Sequence, residues 1–143
     1  MGVNQISVFL ENKPGTLENM TGILASHDIE MRALSLAETK DFGIARMIVD
    51  DVYETMTVLK DSGLVCSLTP VVAAKIPDEA GGLHKILMAF KEAGINVEYM
   101  YAFLGGTTKE AYMIFRVQDV KAADKVMTEN EIATVSQEEL SEL

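Results

Sequence analysis

Two kinds of spacing alternate along this chain. "QISVFL" places Ile6, Val8 and Leu10 at every second residue, the period of a half-buried strand. After the turn "ENKPGTL", Leu17, Met20, Ile23, Leu24 and His27 recur at helical spacing. "EMRALSLAE" and "FGIARMIV" read as a strand pair turning through "TKDFG". "DVYETMTVLKDSG" returns to the helical period, with Asp50 or Asp51 placed to cap its start and Gly63 its end. "LVCSL" supplies one more strand, so the first seventy residues or so predict the order βαββαβ.

The pattern is then written again. "VVAAKI", "GLHKILMAFKEAG" closed by Gly94, "VEYMYAF", "AYMIFRV", "DVKAADKVMTEN" and "IATVS" repeat the same succession, the second strand pair joined through Gly105-Gly106. Gly15-Thr16-Leu17 and Gly81-Gly82-Leu83 stand 66 positions apart, and Asp51-Val52 and Asp119-Val120 stand 68 apart, which puts an extra residue pair near "GGTTKE". The expected architecture is α+β: two tandem ferredoxin-like βαββαβ modules, residues 1–69 and 70–143, each an antiparallel sheet with its helices on one face. Only Thr69-Pro70 breaks the run between the repeats. Modules this small bury little surface alone, so the sheets are expected side by side as one eight-stranded sheet. "QEELSEL" is left over, as a frayed terminal helix.

Charge narrows the partners. The 143 residues carry a formal net charge of −10, shared equally as −5 between residues 1–70 and 71–143. Nucleic acid and anionic membrane surfaces call for clustered Lys and Arg, so neither is expected as a partner. The single cysteine, Cys66, cannot form an internal disulfide, and "MGVNQISV" lacks the basic start and apolar stretch of a secretory signal. A soluble, cytoplasmic protein is expected.

No catalytic constellation stands out. His27 and His84 occupy non-equivalent places in the two repeats, without a second His or Cys at ligand spacing, so no metal site and no cofactor are expected. Cys66 reads as a small core residue. The two glycine turns remain. Each joins a strand to a helix, where free backbone N–H groups and the helix dipole suit a carboxylate. Asn12 and Asp78, in the same turns, carry oxygens that can accept from an ammonium group. Donors for an anion beside acceptors for a cation describe a receptor for a free amino acid. Leu34, Met100 and Tyr101 would be apolar neighbours setting selectivity. A tight turn also calls for glycine on conformational grounds alone, and Asn12 or Asp78 can serve only local N–H groups. Both readings are open at this level.

"ENKPGTLENMTGILASHDIEMRALSL" resembles the N-x-P-G-x-L opening, helix and second strand of the ACT domain, a regulatory module that binds amino acids. "AGGLHKILMAFKEAGINVEYMYAF" is similar, with Ala80 in place of the proline. The resemblance covers the whole chain as two copies, like the small stand-alone tandem ACT proteins of bacteria. It implies ligand contacts from Asn12, Pro14, Gly15, Thr16 and Leu17 in the first copy. In the second it implies Asp78, Gly81, Gly82 and Leu83, with Asn96 at the second strand's entry. It further implies a non-enzymatic sensor binding an amino acid between ACT modules, and a homodimer. The alternative is a regulatory subunit acting mainly by contact with an enzyme of amino-acid metabolism. Glu30 stands where the second copy has Asn96, and Asp78 where the first has Asn12, so the two sites should not be equivalent.

Overall fold

In the computed structural model, which describes residues 2–38, 40–77, 79–103 and 110–142, the first alternating run is strand β1, Val3–Glu11. Helix α1 (Thr16–Ser26), strands β2 (Met31–Glu38) and β3 (Phe42–Val49), helix α2 (Val52–Asp61) and strand β4 (Val65–Pro77) follow. Asp51 is the cap of α2, its carboxylate accepting from the Glu54 amide at 3.0 Å. Gly63, at φ 84, ends that helix. In the order β2-β3-β1-β4, β1 lies antiparallel to β3, with Ile6 opposite Met47. Ile6, Val8 and Leu10 share one face with Ala45, Met47 and Val49, and both helices cover it with Met20, Leu24 and Leu59.

The repeat continues through helix α3 (Gly82–Glu92), strands β5 (Tyr99–Ala102) and β6 (Glu110–Arg116), helix α4 (Val120–Glu129), strand β7 (Ala133–Val135) and helix α5 (Gln137–Ser141). β4 pairs with β6 and with β7, and β6 with β5, all antiparallel. The core here joins Val72, Ala74 and Ile76 to Ile86, Phe90, Phe115 and Met127. Phe90 and Phe115 meet edge to face, their ring centroids 5.7 Å apart. Asp119 caps α4 through the Ala122 amide at 3.0 Å, as Asp51 caps α2. The chain divides into two compact units, Asn4–Thr69 and Pro70–Leu143 with Met1–Val3. Each has the strand order of a ferredoxin-like module.

Three details differ from expectation. The strand does not break at Thr69-Pro70: β4 is continuous and serves both repeats. Pro70 precedes Val72, the first β4 residue paired with β6, so its missing N–H costs that ladder nothing, and its carbonyl accepts from Arg116 Nη1 at 2.7 Å. The strand expected from Val97 is regular only from Tyr99. The terminal helix is not frayed, because Ser136 accepts from the Glu139 amide at 3.2 Å and Leu140 is fully buried. Asp78 and the turn at Gly105-Gly106 lie outside the described residues.

Candidate functional site

The two strand-to-helix corners are built alike, bond for bond. In the first, the Lys13 amide donates to the Glu11 carbonyl at 2.9 Å, Thr16 to Lys13 at 3.4 Å and Asn19 to Gly15 at 2.9 Å. In the second, Glu79 donates to Pro77 at 2.9 Å, Gly82 to Glu79 at 3.2 Å and Lys85 to Gly81 at 3.0 Å. Gly15 (φ 91, ψ −11) and Gly81 (φ 89, ψ −5) are the helix N-caps, in a left-handed conformation that other residues rarely adopt, and neither offers a side-chain cap. Among the described residues, the amides of Leu17 and Glu18 in α1, and of Leu83 and His84 in α3, therefore meet no protein acceptor. These are orphan donors at the positive end of a helix dipole, an arrangement that holds an anion.

The side chains at the corners differ. Thr16 Oγ1 donates to the Glu11 carbonyl at 2.8 Å, binding helix start to strand end. At the equivalent Gly82 no side chain fits, since a Cβ would stand 2.5 Å from the Pro77 carbonyl oxygen and 2.8 Å from Ile76 Cγ2. Gly82 thus has a packing reason of its own. Asn12 ties the first corner to the β2–β3 turn, its amide donating to Asp41 O at 3.1 Å and its Nδ2 to Lys40 O at 3.4 Å.

A cleft opens beside each corner. The first, about 420 Å³, is bounded by Phe9 and Glu11 of β1, Lys13–Thr16, Asn19, and Gly63–Val65. The second, about 320 Å³, is bounded by Lys75–Pro77, Glu79–Gly82, Lys85 and Glu131–Ala133. Every residue of the first lining has its repeat counterpart in the second, which adds Ile86. Pro14, Gly15, Thr16, Gly81 and Gly82, all expected from the sequence, meet in the clefts.

Other expected residues lie elsewhere. Leu34 and Leu17 pack against the first core, and Met100 and Leu83 against the second. Leu17 also borders, with Asn12, Thr16 and Leu36, a hollow of about 100 Å³. Tyr101 is buried and stacked on Tyr99 at 6.5 Å. Asn96 sits past the far end of α3, in a hollow with Glu98 and Asp119. Sequence reasoning missed Phe9, Asn19 and Val65, and Lys75, Lys85 and Glu131. The topology could have found the last strand's start, because the fourth strand of a βαββαβ module returns beside the end of the first.

The histidine and cysteine side chains line neither cleft. His27 bonds its Nδ1 to the Ile23 carbonyl at 2.9 Å, past the end of α1. Burial pushes the Cys66 thiol above its ordinary range, against the pull of Lys60. Among the described residues there is no group of three metal-ligating side chains, and no helix is long and apolar enough to cross a membrane.

Comparison with known proteins accords with this geometry. The model of the ACT domain pair family matches residues 1–143. Protein BT0572 from Bacteroides thetaiotaomicron is 34% identical over 100% of this chain and 98% of its own, with a TM-score of 0.93. The regulatory subunit of aspartate kinase from Thermus thermophilus, in ligand-free form, is 16% identical, with a TM-score of 0.63 over 89% of this chain and 91% of that one. Its counterpart from Thermus flavus is 15% identical, with a TM-score of 0.60 over 90% and 92%. At such identities these two speak for the fold alone. No curated protein matches. With a family match from end to end and the glycine corner in both halves, this chain belongs to the ACT domain pair family.

Proposed function

We propose that this protein is a non-enzymatic regulator that binds a free amino acid at its glycine corners and acts on a separate enzyme of amino-acid metabolism. The observation that carries the reading is the duplicated corner, with left-handed Gly15 and Gly81 each leaving two amides without an acceptor among the described residues. A carboxylate supplies the missing acceptors, and an ammonium group would find carboxylates in the linings, Glu79 in the second cleft and Glu11, paired with Lys13, in the first. Main-chain amides hold a charge but do not exchange protons usefully at neutral pH, which suits sensing rather than turnover. Membership of the ACT domain pair family, whose module the sequence resemblance marks as regulatory, supports the regulatory half of the proposal. Regulation then follows from linkage: a ligand that favours one packing of the chain biases the partner that reads it.

Calorimetry against the twenty amino acids tests this. At least one is expected to bind wild-type protein, and Gly15→Ala together with Gly81→Ala is expected to abolish it. Silence across all twenty, with the protein folded, contradicts the proposal.

A second reading, that the chain works mainly as an interaction subunit or homodimer, is favoured by one observation. Phe9 (45% exposed) and Phe42 (58%) gather exposed apolar surface on the sheet face away from the helices, around a hollow that Ala37 and Ile44 also line. Ultracentrifugation separates the cases: a dimer or a complex with a co-purified enzyme supports association, and a strict monomer with a ligand response speaks against it.

A further inference from the structure

The two ends of the strand order are not alike. β5, at one end, has four residues. β2, at the other, has eight; it pairs with β3 on one side and, among the described residues, with no strand on its other. An edge left this way presents a row of main-chain N–H and C=O groups, and folded proteins usually blunt it with lysine, proline, a bulge or a short strand. β2 has one of these devices, a bulge, confined to its start between Met31 and Ala33. From Ala33 to Ala37 it carries no charge and no proline, and Leu36 within that stretch is 50% exposed.

Those five residues read Ala-Leu-Ser-Leu-Ala, the same in both directions. Laid antiparallel against a second copy, about a two-fold axis at Ser35, Ala33 stands opposite Ala37, Leu34 opposite Leu36 and Ser35 opposite itself. The faces agree as well. Leu34 and Leu36 lie opposite Met47 and Ala45 of β3, on the side the helices cover, while Ser35 and Ala37 lie opposite Arg46 and Ile44 on the other. Leucine therefore meets leucine on one side of a continued sheet, and small residues meet small ones on the other. Nothing is asked of Arg32, which is held by Asp50.

We propose that β2 is a self-pairing surface, along which two copies of this chain join antiparallel through Ala33–Ala37 about an axis at Ser35. A strand of another protein would find the same main-chain groups, whereas a copy of β2 also matches the side chains, large to large and small to small. This rests on the homodimer reading above, and it adds the surface and the register.

Sedimentation velocity of the full chain over a range of concentrations, combined with cross-linking, tests it. Wild-type protein is expected to dimerise. Leu36→Lys, a charge at a half-exposed edge position, is expected to weaken the dimer about tenfold or more, because symmetry removes the Leu34–Leu36 pair twice. Far-ultraviolet circular dichroism of that variant should show the chain still folded, separating lost pairing from lost fold. In a Cys66→Ser background, Ser35→Cys should be joined to its own copy by a short bismaleimide, and Thr57→Cys, exposed on α2, should not. A dimer that folded Leu36→Lys leaves unweakened, or that Ser35→Cys does not cross-link, overturns the β2 pairing while the homodimer reading stands. A strict monomer at every concentration overturns both, even where another protein takes the edge.

Discussion

At Gly15 and Gly81 the backbone angles agree to within a few degrees, φ 91 against 89 and ψ −11 against −5, while Pro14 has become Ala80, Thr16 Gly82 and Asn19 Lys85. The cores diverge in the same way. Leu24 and Met47 of the first unit stand where the second has the edge-to-face pair Phe90 and Phe115. At the opposite end of each module an arginine clamp reverses direction. Arg32 on β2 reaches Asp50 with two bonds of 2.8 and 3.0 Å. In the second repeat the position of Arg32 is Glu98, held instead by Arg116 at 3.3 Å. Side chains have thus been exchanged wherever a different one could do the same job. The backbone of the corners has not changed, because there the main chain itself presents the donors.

Substitutions can break or sharpen this contrast. The largest effect is expected in the cores: Phe90→Ala should cost about 3–5 kcal/mol by urea unfolding, and Leu24→Ala about 2–4, the aromatic pair making the difference. A smaller loss for Phe90→Ala would show that the second core does not depend on that contact. At the corners, Gly82→Ala should cost about 2–3 kcal/mol, because the new Cβ meets backbone that cannot move aside. Thr16→Ala, which removes an exposed hydrogen bond, should cost about 1 kcal/mol. Equal costs would mean that the two corners are packed alike after all.

The clamps come next. Arg32→Met should lower stability by about 1 kcal/mol, a figure discounted for the exposure of Asp50, and Arg116→Met by less, since its ion pair is longer. Added salt should shrink both differences in thermal unfolding. The smallest effect concerns Cys66, whose counterpart is Thr134. A raised thiol pKa means that the folded state holds this proton more tightly. Its contribution to stability is full below the ordinary thiol range and lost as pH rises through the shifted value. Alkylation at pH 8 should accordingly run slower in native protein than in urea, and equal rates would refute the burial.

Much of this was legible in the sequence because it is periodic or capped. Ile6, Val8 and Leu10 alternate as a strand must, and Asp51 and Asp119 announce helices that both begin on the next residue. The glycine corners showed through their repetition. What was hidden depended on pairing and context. Pro70 reads as a break until the ladder is seen to start beyond it. Glu131 takes a left-handed backbone (φ 56) where Gly63 does so in the first repeat, and nothing local marks a glutamate for that conformation. Lys85 and Asn19 look like ordinary helix surface, and only the fold brings them beside the returning strand. Leu34, Met100 and Tyr101 were expected as apolar neighbours on strands lining the module interface; within their units Leu34 and Met100 pack on the cores and Tyr101 stacks on Tyr99.

Amide-resolved NMR titration of the full chain with each of the twenty amino acids tests the central claim most directly. A bound carboxylate should move the resonances of Leu17 and Glu18, or of Leu83 and His84, before any others, in a saturable way. Binding that leaves all four in place while shifting amides remote from both corners would contradict the account.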